Sequence, residues 1–303
     1  MINKLEGILY QLKGDKKVVL SVAAAHDEEV LLAIQSAVDK DIITPILIGD
    51  ENKIREISKE IKFDLNGIKI IQKDTIEECA EAAVKLVSSK EADFVMKGLL
   101  DTSVILKAVL NKEWGLRTDS LLSHVMVYEI PTYDKLLVTT DGGMNIAPDY
   151  DQKVKILKNA IEATKPLGLE EIKVACLAAK EKVNPKMPAT VDAKALQEAG
   201  ERGEFGEGVI VEGPLAFDLA VSKEAAKIKD FESRVAGETD IMLMPTIEVG
   251  NGIGKTLTYF AGGKSAGIIM GAKAPIVLVS RADSHESKLY SIAYGALIAG
   301  HNK

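Results

Sequence analysis

Short runs of valine, isoleucine and leucine alternate with helix-length patterns from residue 17 almost to the end of the chain. Few architectures accept that rhythm. Strands are expected at 17–22, 44–49, 68–72, 93–97, 125–129, 136–140, 173–177, 208–212, 240–245, 267–270 and 275–280. Helices are expected at 27–40, 75–90, 101–111, 150–165, 192–202 and 283–299. Strands joined through helices pair in parallel and are covered on both faces, so the alternation predicts an α/β fold with doubly wound sheets. Ahead of the first strand, Ile2, Leu5, Ile8, Leu9 and Leu12 fall on one side of an amphipathic helix.

The rhythm breaks at 124–140, where two strand patterns are joined by IPTYDK with no helix between them. A second strand pair follows around 267–280. Two such breaks in 303 residues predict two doubly wound α/β domains. The first is discontinuous, 1–129 plus 269–303, and the second is 130–268.

Charge and cysteine usage narrow the function. The 45 acids exceed the 38 bases, giving a net charge of −7, which argues against a nucleic-acid partner. The apolar runs, such as 18–25, are far shorter than the ~20 residues of a membrane span. The N-terminal stretch carries Glu6 and no sustained apolar core, so it is not a secretory signal, and a cytoplasmic protein without a membrane partner is expected. Cys79 and Cys176 form no CxxC and read as small buried hydrophobes of a reducing compartment. The four histidines show no HxxxH spacing, and no metal is expected.

Ligands of open α/β sheets bind beyond the carboxyl ends of strands. The loops to inspect are therefore MKGLLDTS, TTDGGMNIAP, VEGPLAFD, MPTIEVGNGIGKT and SRADSHES. In the fourth, Gly250-Asn251-Gly252-Ile253-Gly254-Lys255-Thr256 satisfies neither nucleotide motif. Val249 stands where GxxxxGK[ST] needs glycine, and Lys255 where GxGxxG needs it. The segment reads as a strand-to-helix turn. Its amides would hold an anion, or its glycines would simply supply positive φ. In the fifth, Ser280-Arg281 follows a strand and opens the last helix. Only five arginines occur in the chain, so Arg281 at a strand end is a specific choice suited to bidentate phosphate recognition. Asp283 reads as the N-cap of that helix, with Glu286 three residues on. No GxSxG or other nucleophile motif is present.

The stretches EGPLAFDLAVSKEAA (212–226), VAGETDIMLMPTIEVGNGIGKTLTYFAGG (235–263) and GIIMGAKAPIVLVSRADSHESKLYSIAYGAL (267–297) closely resemble the phosphate acetyl/butyryltransferases. VMKGLLDTS (95–103), NKEWGLRTDSLLSHVMVYE (111–129) and VNPKMPATVD (183–192) resemble the butyryl members in particular. The resemblance is collinear over essentially the whole chain. It implies two doubly wound α/β domains with an interdomain cleft that holds the active site, in an isopropylmalate dehydrogenase-like architecture. It also implies the reaction butanoyl-CoA plus phosphate giving butanoyl phosphate plus CoA. No tightly bound cofactor is implied, coenzyme A being a substrate, and a homo-oligomer is expected.

By the same resemblance, Ser280 and Arg281 match the family's serine–arginine pair at the acyl-phosphate site. The family's aspartate base follows that serine by seven positions, where Ser287 stands here, so Asp283 and Glu286 become the candidate bases. Glu286 is preferred, because Asp283 sits where the helix needs its cap. Candidate substrate-binding residues are Lys97, Gly98, Thr102, Arg117, Asp141, Gly250, Asn251, Gly252, Gly254 and Lys255. A phosphate acetyltransferase is the nearest rival. A non-catalytic protein that binds CoA or an acyl phosphate is the rival of another class. An NAD-dependent decarboxylating dehydrogenase would need aspartates at DxxxD spacing, which the chain lacks.

Overall fold

The computed structural model describes residues 1–14, 17–279 and 283–301. In chain order the elements are α1 (Leu5–Gln11), β1 (Val18–Ala23), α2 (Glu28–Asp39), β2 (Ile43–Gly49), α3 (Glu51–Glu60), β3 (Lys69–Gln72), α4 (Ile76–Ser88), β4 (Phe94–Lys97) and α5 (Thr102–Val109). Then come β5 (Ser123–Glu129), β6 (Leu136–Thr140), α6 (Tyr150–Thr164), β7 (Ile172–Leu177), α7 (Pro188–Glu201), β8 (Val209–Leu215), α8 (Phe217–Val221), α9 (Lys223–Ile228) and β9 (Ile241–Leu243). The chain closes with α10 (Ile247–Tyr259), β10 (Lys264–Met270), β11 (Ile276–Val277) and α11 (His285–His301). Each strand expected from the sequence is present, most of them with shifted ends and β6 with the ends expected. Helices α3, α8, α9 and α10 were not expected.

The chain divides into two compact units, one of Glu6–Ser120 with Ala266–Lys303 and the other of Met1–Leu5 with Leu121–Ser265. The sequence pattern predicts boundaries at 129/130 and 268/269. The division precedes β5 because β5 and β6 form one antiparallel hairpin, with Val127 opposite Val138, and stay in one unit.

In the unit built on Glu6–Ser120, the strand order is β3-β2-β1-β4-β11-β10. All neighbours are parallel except β10, which runs antiparallel to β11. Strand β1, VVLSVA, is buried along nearly its whole length, as a central strand covered on both faces must be. The helices start where the sequence supplies acceptors. Asp27 accepts the Val30 amide at 3.0 Å to open α2, and Thr75 with Glu78 forms a reciprocal capping box on α4. Helix α11 is unlike the others, because its residues from Lys288 to Ala299 are all buried. A Cβ on Gly295 would lie 3.0 Å from the Phe94 ring and from Val277, so glycine lets this helix press onto β4 and β11.

In the second unit the order is β5-β6-β9-β7-β8, parallel throughout except for the hairpin. Tyr128, Leu137, Leu215, Leu219, Val235, Met242 and Leu257 belong to its core. Cys79 and Cys176 are both free and buried, as read from the sequence. Burial pushes the Cys176 thiol up to about 12. Among the described residues, no helix is long and apolar enough to cross a membrane.

The segment read as a glycine-rich turn is helix. Gly250, Asn251, Gly252, Gly254 and Lys255 all lie inside α10, and the Gly250 amide is spent on Thr246 O at 3.1 Å. An anion cradle of free loop amides is therefore not what these residues build. The reason for glycine is packing. A Cβ on Gly250 would come within 2.5 Å of Asp141 O, and one on Gly254 within 2.6 Å of the Tyr128 hydroxyl. Gly252 faces open space. Gly250→Ala is therefore expected to destabilise the protein by about 1–3 kcal/mol. Gly252→Ala should stabilise it by about 0.5–1 kcal/mol, because alanine loses less backbone entropy in a helix. Urea unfolding of the two variants checks the opposite signs.

Candidate active site

The first unit carries a topological switch point. From β1 the chain winds outward through β2 to β3, and β4 then pairs on the other side of β1. At such a point the loops leaving the carboxyl ends diverge and open a crevice. A cavity of about 180 Å³ is found there, lined by Asp27, Glu29, Val30, Lys97, Gly98, Leu99, Val279 and Lys288. Lys97 and Gly98, both singled out from the sequence, therefore meet at one place. Lys97 ends β4, and its ammonium donates to Gly98 O at 3.2 Å. Gly98 packs so closely on β1 that a Cβ would sit 2.3 Å from Ala24 O. Its glycine is required by that approach.

The remaining candidates of this unit lie elsewhere. Thr102 is the exposed first residue of α5, and Arg117 is exposed beyond that helix. Neither lines the cavity. Sequence reasoning missed Asp27, Glu29, Val30, Leu99, Val279 and Lys288. Lys288 carried a signal, being a lysine one turn into an otherwise apolar run, KLYSIAYGALIAG. Beside the cavity residue Asp27, His26 accepts the Asp50 amide on Nδ1 at 3.3 Å. Burial is the first cause that holds its pKa below the usual histidine value, favouring the neutral ring.

In the second unit, Asp141 follows β6 and is buried at 3 % exposure. Its Oδ1 accepts the Gly143 and Met144 amides at 2.8 and 2.9 Å, and its Oδ2 accepts the His124 amide at 3.1 Å and Asn145 Nδ2 at 2.6 Å. A carboxylate offers about four lone-pair sites, so these donors use its capacity. Asp141 therefore shapes the loop after β6 rather than presenting a carboxylate to a ligand. Against that loop lies α10, with a would-be Cβ of Gly142 at 2.7 Å from Gly250 C and Asn251 Nδ2 donating to Gly142 O at 3.3 Å. Gly252 and Lys255 point to solvent.

The chain matches the phosphate acetyl/butaryl transferase family over residues 4–85 and 73–296. It belongs to that family. It is 44% identical to the phosphate butyryltransferase of Clostridium acetobutylicum over 99% of this chain and all of that protein. It is 42% identical to the phosphate acetyltransferase of Thermotoga maritima, covering 97% of this chain and 99% of the relative. Among solved structures, a branched-chain phosphotransacylase from Enterococcus faecalis superposes with a TM-score of 0.82 at 35% identity, over 93% of this chain and 99% of that one.

Ser280 and Arg281, expected from the resemblance to be the family's serine–arginine pair, lie outside the described residues. At Asp283 the structure corrects the expected capping. Ser284, not Asp283, caps α11, its Oγ accepting the Ser287 amide at 3.1 Å. The cap therefore sits one residue later than expected, and Glu286 lies at the second helical position, where it cannot complete a capping box. Glu286 is exposed and accepts from the Tyr290 hydroxyl at 3.3 Å. With the cap at Ser284, capping gives no preference for Glu286 over Asp283. Ser284→Ala is expected to cost about 0.5–2 kcal/mol, more than Asp283→Asn costs. Thermal unfolding of the two variants measures the difference, and a larger loss in Asp283→Asn would return the cap to Asp283.

Proposed function

We propose that this chain is a phosphate butyryltransferase. A phosphate oxygen attacks the thioester carbonyl of butanoyl-CoA, the C–S bond breaks, and CoA leaves as the thiolate. In reverse, the CoA thiol loses its proton to a base and attacks the carbonyl of butanoyl phosphate, releasing phosphate. The observation that carries this reading is identity at 44% over essentially the full length of a phosphate butyryltransferase. The protein is proposed to work in the cytoplasm as a homo-oligomer, with CoA as a substrate rather than a resident cofactor.

A free thiol has a pKa of about 8.5, so ionising it at pH 7 costs roughly 2 kcal/mol. That is small beside what positioning two polyanions and stabilising the tetrahedral oxyanion contribute. The proposal gives Arg281 the phosphate, Ser280 a hydrogen bond to the reacting group, and Lys97 positive potential at the switch point. Asp283 and Glu286 stand level as candidates for the base. Both substrates meet in a ternary complex, so no acyl-enzyme is formed.

The acetyl reading is the second one, supported by a relative of that name at 42% identity. Each buried methylene is worth about 0.8 kcal/mol, so a pocket fitted to four carbons discriminates roughly ten- to fifteenfold over acetyl. The test is phosphate-dependent CoA release from acetyl-, propanoyl-, butanoyl- and 2-methylpropanoyl-CoA. Butanoyl-CoA is expected to have the highest kcat/KM. Acetyl-CoA equal or better would hand the assignment to the acetyltransferase.

The same assay separates the proposed roles. Arg281→Lys keeps the charge but loses the planar fork, so kcat/KM should fall by about ten- to 150-fold. Of Asp283→Asn and Glu286→Gln, the variant that removes the base should lose about two orders of magnitude in kcat, with the loss shrinking as pH approaches the thiol pKa. Near-wild-type kinetics in Arg281→Lys would remove the clamp, and in both carboxamide variants would remove a base from this segment.

A further inference from the structure

The lysine that sequence reasoning missed is placed in an unusual way. Lys288 belongs to the first turn of α11, and its side chain is 3 % exposed. Burying an ammonium is costly unless hydrogen-bonded partners compensate. Among the described residues, its partner is Glu29 Oε2 at 3.1 Å. Glu29 is itself 58 % exposed, so this is a lopsided pair with the cation buried and the anion largely in water. An ammonium has three donors, and this contact uses one.

Lys288 and Lys97 both line the switch-point cavity, together with Asp27 and Glu29. Asp27 is engaged at the cap of α2, its Oδ1 accepting the Val30 amide, and Glu29 is the acid paired with Lys288. At about 180 Å³ the space admits a tetrahedral oxyanion.

We infer that Lys288 binds a phosphoryl oxyanion of the substrates in this cavity, and that Glu29 is a placeholder that neutralises Lys288 until the oxyanion displaces it. The largely exposed Glu29 carboxylate is hydrated again when it leaves, and the oxyanion takes over the pairing that the buried Lys288 ammonium needs. A buried lysine held by an exchangeable partner thus has its ammonium donors ready for the ligand. The identity of the oxyanion rests on the transferase reading, whereas the anion site itself rests on the cavity and the buried ammonium.

The placeholder arrangement predicts opposite responses from the two partners. In Lys288→Met, the KM for inorganic phosphate should rise at least about tenfold with the loss of a charge-assisted contact. In Glu29→Gln, which removes the competing carboxylate, it should fall about two- to fivefold. A merely structural ion pair would destabilise both variants and leave the KM for phosphate and the KM for butanoyl-CoA of both unchanged, which would overturn the inference. If Lys288→Met fails to fold, Glu29→Gln decides alone, and KM values that are unchanged or raised for both substrates overturn it. The KM for butanoyl-CoA, measured in parallel, identifies the source. A change confined to phosphate assigns the transferred group, and a change confined to butanoyl-CoA assigns a phosphoryl group of CoA itself.

A second readout is independent of turnover. Inorganic phosphate should raise the Tm of the wild type relative to chloride at equal ionic strength, and should lose that effect in Lys288→Met. If wild-type protein releases no CoA, the transferase reading falls, yet the phosphate-dependent Tm still decides the role of Lys288. A shift of equal size in wild type and in a folded Lys288→Met would remove Lys288 from the anion site.

Discussion

Helix α11 must bury almost its entire surface, and the organisation of the switch point follows from that. It lies against β1, β4 and β11, with Gly295 in place of any larger residue so that Phe94 and Val277 can close on it. A helix seated this tightly cannot rotate without opening voids or clashes in a close-packed interior. Its first turn is thereby directed. Ser284 takes the cap, Lys288 turns inward to the cavity, and Glu286 stays in solvent. The same packing brings the carboxyl ends of β1 and β4 beside Val279, so three separate stretches of chain line one small space.

A comparable logic of close backbone approach governs α10 in the other unit. The loop after β6 is held by Asp141 through four hydrogen bonds, and α10 lies on that loop with glycine at the contact. Polar satisfaction and steric fit support each other here. The buried carboxylate is affordable only because four donors surround it, and they are held in place partly by the helix lying above. The two candidate regions thus share a design in which glycine removes a side chain where main chain must meet main chain. At Gly98 the partner is β1, and at Gly250 it is the Asp141 carbonyl.

Much of the fold was legible in the residues. The β-branched runs mark the strands because a strand covered on both faces needs apolar side chains on both, and that pattern is local. The helix starts at Asp27 and Thr75 were legible for the same reason, since a capping side chain and the amide it serves are three residues apart. Helix α10 was not, because glycine scores poorly as a helix former and its benefit lies in a contact with Asp141, more than a hundred positions away. Asp283 was misread for a subtler reason. Asp283 and Ser284 are adjacent and equally able to cap, and the seating of α11 chose between them.

The sequence by itself determined the α/β class, the strands and the likeness to a family of acyl-phosphate-forming transferases, because periodicity and collinear motifs are properties of neighbouring residues. It marked Lys97 and Gly98 through the loop they occupy, and Ser280 and Arg281 through residue type and resemblance. Only the tertiary structure decided that Asp141 is consumed in shaping its own loop, that Gly250 to Lys255 are helix, and that Lys288 and Glu29 meet across 259 positions and line one cavity. Those outcomes depend on which amides, carbonyls and charges come within a few ångströms after folding. Separation along the chain carries no record of that distance.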